Sequence, residues 1–266
     1  MSRSHPTVSE FLSSNSEDTA KAFYRQVLLP NGTFKTTDRH RLDEVNSFSL
    51  PFIQALNVKH LKLMDTAASS GVTTMEWSKQ LEAAGLSFEL IATDKLLSAN
   101  LLTIAPGVKA LVDDAGNAIH FDCFGHGLSP RISRTPLAPL KAALRLLFLV
   151  THKRSKPSTP VAMMTPGNGI TAEADDLLSP TPKKWLGAFD VVRAANILHK
   201  AYFSSAELAL AIRNLQKRLS HGGLLIITRT REHDGKNEAS ILRNDGGTLS
   251  AIGRLNGGSE VELLLN

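Results

Sequence analysis

One segment constrains the fold of this chain more than any other: an apolar run that ends in an acid, passes through small residues and enters a helical pattern. The run Leu61–Met64 ends at Asp65, the small residues end at Gly71, and a second apolar run ends at Asp94. This is the order strand, tight turn, helix, strand. Small side chains let the backbone approach a ligand, and the free N–H groups of the helix face the same crevice. The segment predicts a nucleotide-cofactor site with Asp94 placed to hold ribose hydroxyls.

The glycine count limits which cofactor fits this segment. One glycine stands between Asp65 and the helix, whereas the dinucleotide fingerprint has three, so NAD and FAD are disfavoured. The sequence also lacks the Gly-x-x-x-x-Gly-Lys-Ser/Thr loop that cradles phosphates in ATPases. The alternative to a cofactor site stays open: residues 65–71 could be an ordinary connection between a strand and a helix, and Asp94 a solvated loop acid.

Later segments extend the alternation of strands and helices. Phe189–Asn196 is typical of a buried strand, and Ser204 with Glu207 forms a capping-box pattern. Gly222–Gly223 is expected to stop the helix before a last apolar run, Leu224–Thr228. Apolar residues recur at helical spacing between them: Leu208, Ala211, Ile212, Leu215 and Leu219. The alternation implies a parallel, doubly wound sheet that binds its ligand at the carboxyl ends of the strands.

Together these motifs resemble the class I S-adenosylmethionine-dependent methyltransferases, in which a Phe-Asp strand, a helix and a Leu-x-x-Gly-Gly turn follow one another. Here the strand opens with Phe189-Asp190, and the turn is Leu219–Gly223. The first motif, Ala-x-Ser-x-Gly at residues 67–71, is similar to that of the glutamate methyltransferases of chemotaxis receptors. The resemblance covers about residues 60–96 and 186–230. It implies an α/β, Rossmann-like doubly wound sheet of about seven strands, mostly parallel with an antiparallel C-terminal strand, and S-adenosyl-L-methionine as cofactor.

The resemblance also implies site residues. Asp176 and Leu177 would contact adenine, after a strand that begins at Ile170. If the register differs by one residue, Asp175 would take the place of Asp176. The other interpretation of the adjacent acids is a plain polar turn without a binding role. Arg193 and Tyr202 are the catalytic candidates, and His199 is a weaker candidate for a base. The cofactor-binding candidates are Asp65, Ala67, Ser69, Gly71, Thr74, Asp94, Lys95, Asp176, Leu177 and Asn196. No metal is expected, because the chain lacks a cysteine pair.

Length and composition set the domain organisation. With 266 residues, 42% of them apolar, the chain can bury one substantial core. Patterns at 8–27 and 43–56 predict two early helical stretches. The resemblance implies that they form an N-terminal helical cap over residues 1–58, and that residues 59–266 form a methyltransferase domain with a basic insertion at about 105–160. The single cysteine, Cys123, and the absence of a signal-like apolar core near the start favour a cytoplasmic protein.

The middle of the chain carries an unusual charge pattern. A predicted hairpin at 108–124 precedes residues 123–172, which contain no acid. This stretch holds seven cations, more than the net charge of +5: Arg131, Arg134, Lys141, Arg145, Lys153, Arg154 and Lys156. It includes a predicted apolar helix at 137–150, too short to span a bilayer.

Three interpretations of that helix stay open. It could be a connecting helix on the sheet, a docking surface for an acidic or phosphorylated substrate, or an interfacial helix through which residues 137–156 contact a membrane. Nucleic acid is disfavoured as a partner, because aromatic residues are 6% of the chain and none alternate with the cations.

The expected function is methyl transfer to an unidentified small-molecule or protein acceptor, possibly anionic. The alternative is a cofactor-binding but catalytically degenerate module that uses its basic segment to contact an anionic partner or a membrane surface. In the C-terminal part, Arg229, Arg231, Asn237 and Arg243 either line an acceptor pocket or make ordinary contacts at strand ends.

Overall fold

The structure, a computed structural model, describes residues 5–14, 16–30, 32–35, 38–132, 135–154, 157–231 and 233–265. The chain divides into two compact units. We call Met1–Thr37 with Leu96–Met164 the antiparallel unit, and Asp38–Lys95 with Thr165–Asn266 the parallel-sheet unit.

The described residues form helices and strands in both units. The α-helices are α1 Val8–Ser13, α2 Glu17–Tyr24, α3 Asp43–Gln54, α4 Val72–Ala83, α5 Ala138–Thr151 and α6 Ser205–Arg218. The strands are β1 Leu61–Thr66, β2 Phe88–Asp94, β3 Ser98–Ala105, β4 Val108–Val112, β5 Ala118–Cys123, β6 His126–Leu128, β7 Pro157–Ala162, β8 Ile170–Ala174, β9 Phe189–Ala195, β10 Leu219–Thr230, β11 Asn237–Asn244 and β12 Leu249–Leu255. Short 3₁₀ helices span His152–Arg154, Lys183–Trp185 and Glu260–Leu264.

The parallel-sheet unit is built on one seven-stranded sheet in the order β12-β11-β10-β9-β1-β2-β8. Strands β8, β2, β1, β9 and β10 are parallel, and β11 is antiparallel to both of its neighbours. The predicted α/β fold with a mostly parallel sheet is therefore confirmed. The antiparallel strand is the penultimate one, however, because the chain ends the sheet as a β10–β11–β12 meander.

Apolar layers cover both faces of this sheet. On one face, Val191 and Leu224 pack with residues of α3 and α4. On the other face, their chain neighbours Val192 and Leu225 pack with α6. Because consecutive strand residues point to opposite faces, strands buried on both sides need continuous apolar runs, which is the pattern seen in the sequence.

The connection after β8 departs from an alternating strand and helix pattern. Between β8 and β9 the chain forms a loop and the 3₁₀ helix Lys183–Trp185 instead of an α-helix. Between β2 and β8 the chain contributes Leu96–Met164 to the antiparallel unit.

The antiparallel unit contains a five-stranded sheet in the order β6-β5-β4-β3-β7. The predicted hairpin is confirmed as β4 and β5, although the sheet around it was not predicted. The predicted apolar helix is confirmed as α5, and its buried residues Leu144 and Phe148 pack with Phe121 of β5. The interpretation of α5 as a connecting helix on the parallel sheet is therefore wrong. None of the helices within the described ranges is long and apolar enough to cross a membrane.

The first 58 residues are divided between the two units. Helices α1 and α2 belong to the antiparallel unit, and α3 belongs to the parallel-sheet unit, so the expected cap over residues 1–58 does not form one body. The single helix expected over 8–27 is two helices, each with its own N-cap: Thr7 in a capping box with Glu10, and Ser16. Side-chain caps that satisfy free N–H groups start a helix, and a second cap therefore starts a second one.

The segment from α6 to β10 confirms one prediction and corrects another. The capping box of Ser204 and Glu207 is present. The helix ends at Arg218 and not at the glycine pair, because Leu219 is already extended and begins β10. Gly222, with φ of 78°, lies in an irregularity of the β9–β10 pairing between Leu219 and Leu224.

Candidate functional site

The strand order of the sheet reverses between β1 and β9, and we call the position beyond their carboxyl ends the crevice. The chain runs from β1 outward to β2 and β8, and then returns to β9 on the other side of β1. In open α/β sheets, ligands bind at the carboxyl ends of the strands where the strand order reverses in this way. Thr66 of β1 lies beside Ala194 of β9, so the loops that follow these two strands start at the same level.

The loop after β1 has an unusual backbone. Ala67, Ser69 and Gly71 all have positive φ, of 54°, 57° and 87°. They occupy alternate positions, the spacing of a Gly-x-Gly-x-Gly loop, although two of the three carry a side chain. Left-handed conformations cost roughly 1–2 kcal/mol for residues other than glycine, so the surrounding contacts must hold this loop in place.

The end of β2 supplies two of those contacts. The backbone N–H of Ala68 donates to the Thr93 carbonyl, 2.9 Å away. The backbone N–H of Ser69 donates to Oδ2 of Asp94 at 2.8 Å. The predicted acid at the tip of the second strand is thus brought to the predicted loop, where it is partly exposed.

Gly71 lets a second backbone segment of the same unit approach the loop closely. A Cβ atom at this position would lie 2.9 Å from Cα of Pro166, and the Thr165 N–H donates to the Ser70 carbonyl. The backbone of Thr165-Pro166, a segment of the same unit, therefore approaches Gly71 closely.

Lys95 and Asp176, predicted from separate motifs, form an ion pair beside Asp94. Lys95 Nζ lies 2.6 Å from Asp176 Oδ2, and the N–H of Leu178 donates to Oδ1 of the same carboxylate. Burial opposes ionisation of Asp176, but the hydrogen bonds from Lys95 and Leu178 and the charge of Lys95 outweigh it and hold its pKa below the usual value.

The neighbours of Asp176 point into the protein. Asp175, the alternative register, forms a buried ion pair with Arg218, with Nη1 and Oδ2 2.6 Å apart. Leu177 is buried in the apolar layer that also contains Trp185. Of the three residues, Asp176 is the one whose charged group is accessible at the carboxyl edge of the sheet.

Asn196 directly follows β9 at the opposite side of the crevice, also with positive φ, of 58°. Its N–H donates to the Thr228 carbonyl, and its Oδ1 accepts from the N–H of Thr230 at 2.6 Å. Its Nδ2 is buried and makes no hydrogen bond within the described residues. Buried polar groups almost always have partners, so an orphaned donor at the end of a central strand is a place where a ligand acceptor fits.

Three predicted residues form a buried network instead of lining the crevice. Arg193 donates from Nε and Nη2 to the two carboxylate oxygens of Asp65, at 2.8 and 2.6 Å. Thr74 Oγ1 donates to the same carboxylate at 2.6 Å. Asp65 and Arg193 are each 1% exposed. We call Asp65, Thr74 and Arg193 the buried bracket, because it joins β1, α4 and β9 directly beneath the loop.

Two residues that were not predicted from the sequence complete the bracket. Asn46 of α3 accepts from Arg193 Nη1 at 2.8 Å, and the guanidinium lies 4.3 Å from the ring centre of Trp77. Both residues occupy apolar-face positions of their helices, which sequence patterns assign to the core without indicating a charged partner. An open pocket of about 300 Å³ next to Asn46 and Trp77 reaches Ala83 and Ala84, at the end of α4 away from the crevice.

The catalytic candidate Tyr202 lies after β9 and is 38% exposed. Its ring is tilted against that of His199, with ring centres 5.5 Å apart. His199 Nδ1 accepts from the Ala201 N–H, and its Nε2 lies 3.7 Å from Glu260 Oε1. Both nitrogens of His199 thus face groups of the protein, which makes it a weak choice for a base.

Arg41, just before α3, is a cation that the sequence analysis did not select. Burial lowers its pKa and so does the charge of Arg193, while the charges of Asp38 and Asp65 and the nearby Tyr202 oppose that shift. Because arginine keeps its charge in proteins, Arg41 is a guanidinium near both the bracket and the exposed tyrosine. Its Nε is buried and makes no hydrogen bond within the described ranges.

The polar residues of the C-terminal part have partners within the protein. Arg229 pairs with Glu260, Arg231 with Asp234, and Arg243 with Asp245. Asn237 accepts from Thr230 Oγ1 and donates to the Arg41 carbonyl. These side chains therefore make the ordinary strand-end and hairpin contacts that were one of the two interpretations of the sequence.

Comparison with known proteins finds no matching family model and no matching curated protein. Among solved structures, the chain is similar to the N-methyltransferase NodS from Bradyrhizobium japonicum WM9 (14% identity, 86% of this chain and 74% of that chain, TM-score 0.37). It is also similar to CalS10, an amino pentose methyltransferase from Micromonospora echinaspora (13% identity, 85% and 80%, TM-score 0.37). A third match is the CMeT domain of the citrinin polyketide synthase (15% identity, 65% of this chain, TM-score 0.33), of whose chain this protein spans 30%. These identities and TM-scores do not establish a family.

Proposed function

We propose that the parallel-sheet unit binds S-adenosylmethionine in the crevice between β1 and β9 and transfers its methyl group to a small-molecule or protein acceptor. The observation that carries this proposal is the loop at 67–71. It keeps left-handed φ at three alternate positions, and the Asp94 carboxylate holds it at the tip of the next strand. A loop that adopts this conformation without glycine at every position has its shape imposed by the fold, as expected for a binding loop.

The residues around the crevice fit the parts of the cofactor. Asp94 is a partly exposed carboxylate at the tip of β2 that would accept from ribose hydroxyls, and Asp176 with Lys95 would supply polar groups on the adenine side. The Asn196 Nδ2 is a buried donor that makes no hydrogen bond within the part of the chain that the structure describes. The buried bracket would not touch the cofactor. Its role would be to fix the start of the loop, and Arg193 would act by positioning and not in catalysis.

Bound S-adenosylmethionine supplies a methyl group already activated by the sulfonium, so the protein needs chiefly to align the acceptor and exclude water. Tyr202, with an exposed ring and a phenolic donor, is the group we propose to orient the acceptor. The guanidinium of Arg41 nearby favours an anionic acceptor, such as a carboxylate, which would need no general base.

Calorimetric titration with S-adenosylmethionine, S-adenosylhomocysteine and NADH tests the cofactor. We expect saturable binding of both sulfur compounds and none of NADH. Asp94→Asn should weaken binding by at least about tenfold, because hydrogen bonds to a charged group contribute about 1.5–3 kcal/mol.

Asp245→Asn is the matched control, since this acid lies in an exposed turn and pairs with Arg243. It should bind like the wild type. If well-folded wild-type protein binds neither sulfur compound, the methyltransferase proposal fails. If Asp94→Asn binds normally, the crevice between β1 and β9 is the wrong site.

A further inference from the structure

Helix α5 of the antiparallel unit is apolar on both sides. Leu144 and Phe148 are buried against the antiparallel sheet. Leu146, Leu149 and Val150 are 64%, 64% and 63% exposed. A surface helix normally has one apolar face and one polar face, so an apolar outer face needs an explanation.

Helical spacing gathers the exposed apolar residues on one outer stripe. The stripe consists of Ala142, Leu146, Leu149 and Val150. Successive members are four, three and one residues apart, a spacing that keeps them on one side of the helix. Each is exposed, and the buried residues Leu144 and Phe148 lie on the opposite side. Contiguous exposed apolar patches of this kind mark protein or membrane interaction sites.

The chain segment that contains α5 carries charges of one sign. Residues 123–172 contain no acid, and Arg131, Arg145 and Lys153 are exposed within them. Arg134 and Lys156, from the same basic stretch, lie outside the described residues, as does the side chain of Arg154. A second copy of this chain, paired through α5, would bring two such cationic segments together, which like-charge repulsion disfavours. A partner that complements α5 has an apolar interior for the exposed leucines and valine, and an anionic surface for the cations.

The length of α5 shows whether it could span a membrane or would lie in the plane of its surface. Fourteen residues extend about 21 Å, at 1.5 Å per residue, which is shorter than the hydrocarbon core of a bilayer. A short helix with one stripe of leucine and valine and cations near its edges and end lies in the plane of a membrane interface.

We propose that α5 docks the antiparallel unit on an anionic membrane surface. Leu146, Leu149 and Val150 enter the boundary between headgroups and acyl chains, while Arg145, Lys153 and Arg131 contact anionic headgroups. This proposal does not depend on the methyltransferase proposal, because the residues involved belong to α5 and its flanks.

Sedimentation of the full chain with vesicles tests the proposal, using phosphatidylcholine alone or mixed with phosphatidylserine. We expect the wild type to sediment with the anionic vesicles and to stay in solution with the neutral ones. Leu146→Gln/Leu149→Gln should weaken binding by at least about tenfold, because each leucine loses the free energy of burial in the interface. Arg145→Gln/Lys153→Gln should weaken it by about fivefold for each charge removed.

The controls change exposed residues elsewhere in the same way. Leu186→Gln/Leu263→Gln removes two exposed leucines of the parallel-sheet unit, and Lys79→Gln/Arg213→Gln removes two exposed cations. Both should bind like the wild type, and thermal melts should show that all variants are folded.

The proposal fails if the wild type stays in solution with anionic vesicles or sediments equally with neutral ones. It also fails if Leu146→Gln/Leu149→Gln binds anionic vesicles as well as the wild type does. A concentration-dependent dimer that this leucine variant dissociates would also overturn it, and would identify α5 as a contact between copies.

Discussion

The two acids that end β1 and β2 have opposite environments, although the sequence pattern treats them alike. Asp65 is buried, and its carboxylate accepts bonds from Arg193 and Thr74. Asp94 is partly exposed and accepts from the loop N–H of Ser69. The first acid holds the framework together, and the second lies where a ligand can reach it. A motif for a binding site can therefore contain residues that bind only each other.

The largest expected effect comes from breaking the buried bracket. Arg193→Met would leave the Asp65 carboxylate buried without its cation, and losing one partner of a buried ion pair costs about 3–5 kcal/mol. We expect the free energy of unfolding, measured in urea, to fall by that amount. The double variant Asp65→Leu/Arg193→Met should recover much of the loss, because it removes the unpaired charge as well.

Arg229→Met is the control for this comparison. Arg229 and its partner Glu260 are each about one-third exposed, and pairs of this kind contribute about 0–1 kcal/mol. A loss of less than about 1 kcal/mol for Arg193→Met would contradict the role of the bracket as a framework.

A smaller effect is expected in the loop above the bracket. Ala67→Gly removes the cost of a left-handed alanine, roughly 1–2 kcal/mol, while glycine adds about 0.5–1 kcal/mol of unfolded-state entropy. We therefore expect the free energy of unfolding to rise by about 0.5–1 kcal/mol. Gly71→Ala should have the opposite sign, because it adds strain at φ of 87° and a contact with Pro166.

The neighbouring Ala68 provides the matched control. It is buried and does not have positive φ, so Ala68→Gly should lower the free energy of unfolding by about 1 kcal/mol. Equal effects of Ala67→Gly and Ala68→Gly would show that the loop is not held in the left-handed conformation.

The segments that the sequence predicted well are those defined by local patterns. The unit from β1 to β2 follows from apolar periodicity and small residues, and the start of α6 follows from a cap and its partner three residues later. The five-stranded sheet was missed because its pairing of Ser98 with Ala162 is distant in sequence and leaves no local signal. The environment of Arg193 was missed for the same reason. Arginine is rarely buried, and the partner that permits it, Asp65, lies 128 residues away.

The smallest expected effect concerns the ion pair of Lys95 and Asp176 at the accessible edge. The lowered pKa of Asp176 means that the folded state favours the ionised carboxylate. Its contribution to stability is fully present above the unfolded pKa of 3.8 and is lost as the pH falls below that value through the folded pKa. Lys95→Met should therefore lower stability by about 0.5 kcal/mol at neutral pH, as for other exposed pairs. The difference from wild type should shrink towards zero as the pH falls below 3.8 and through the folded pKa of Asp176.

Thermal melts of the wild type and Lys95→Met across this pH range measure the difference, and Lys79→Met, at an exposed position of α4, corrects for the loss of one positive charge. A constant difference at every pH would mean that Lys95 acts through packing and not through the carboxylate. A loss well above about 1 kcal/mol would place this pair with the buried bracket. The accessible acids would then be part of the framework, and the ligand-facing group at the ends of β2 and β8 would reduce to Asp94.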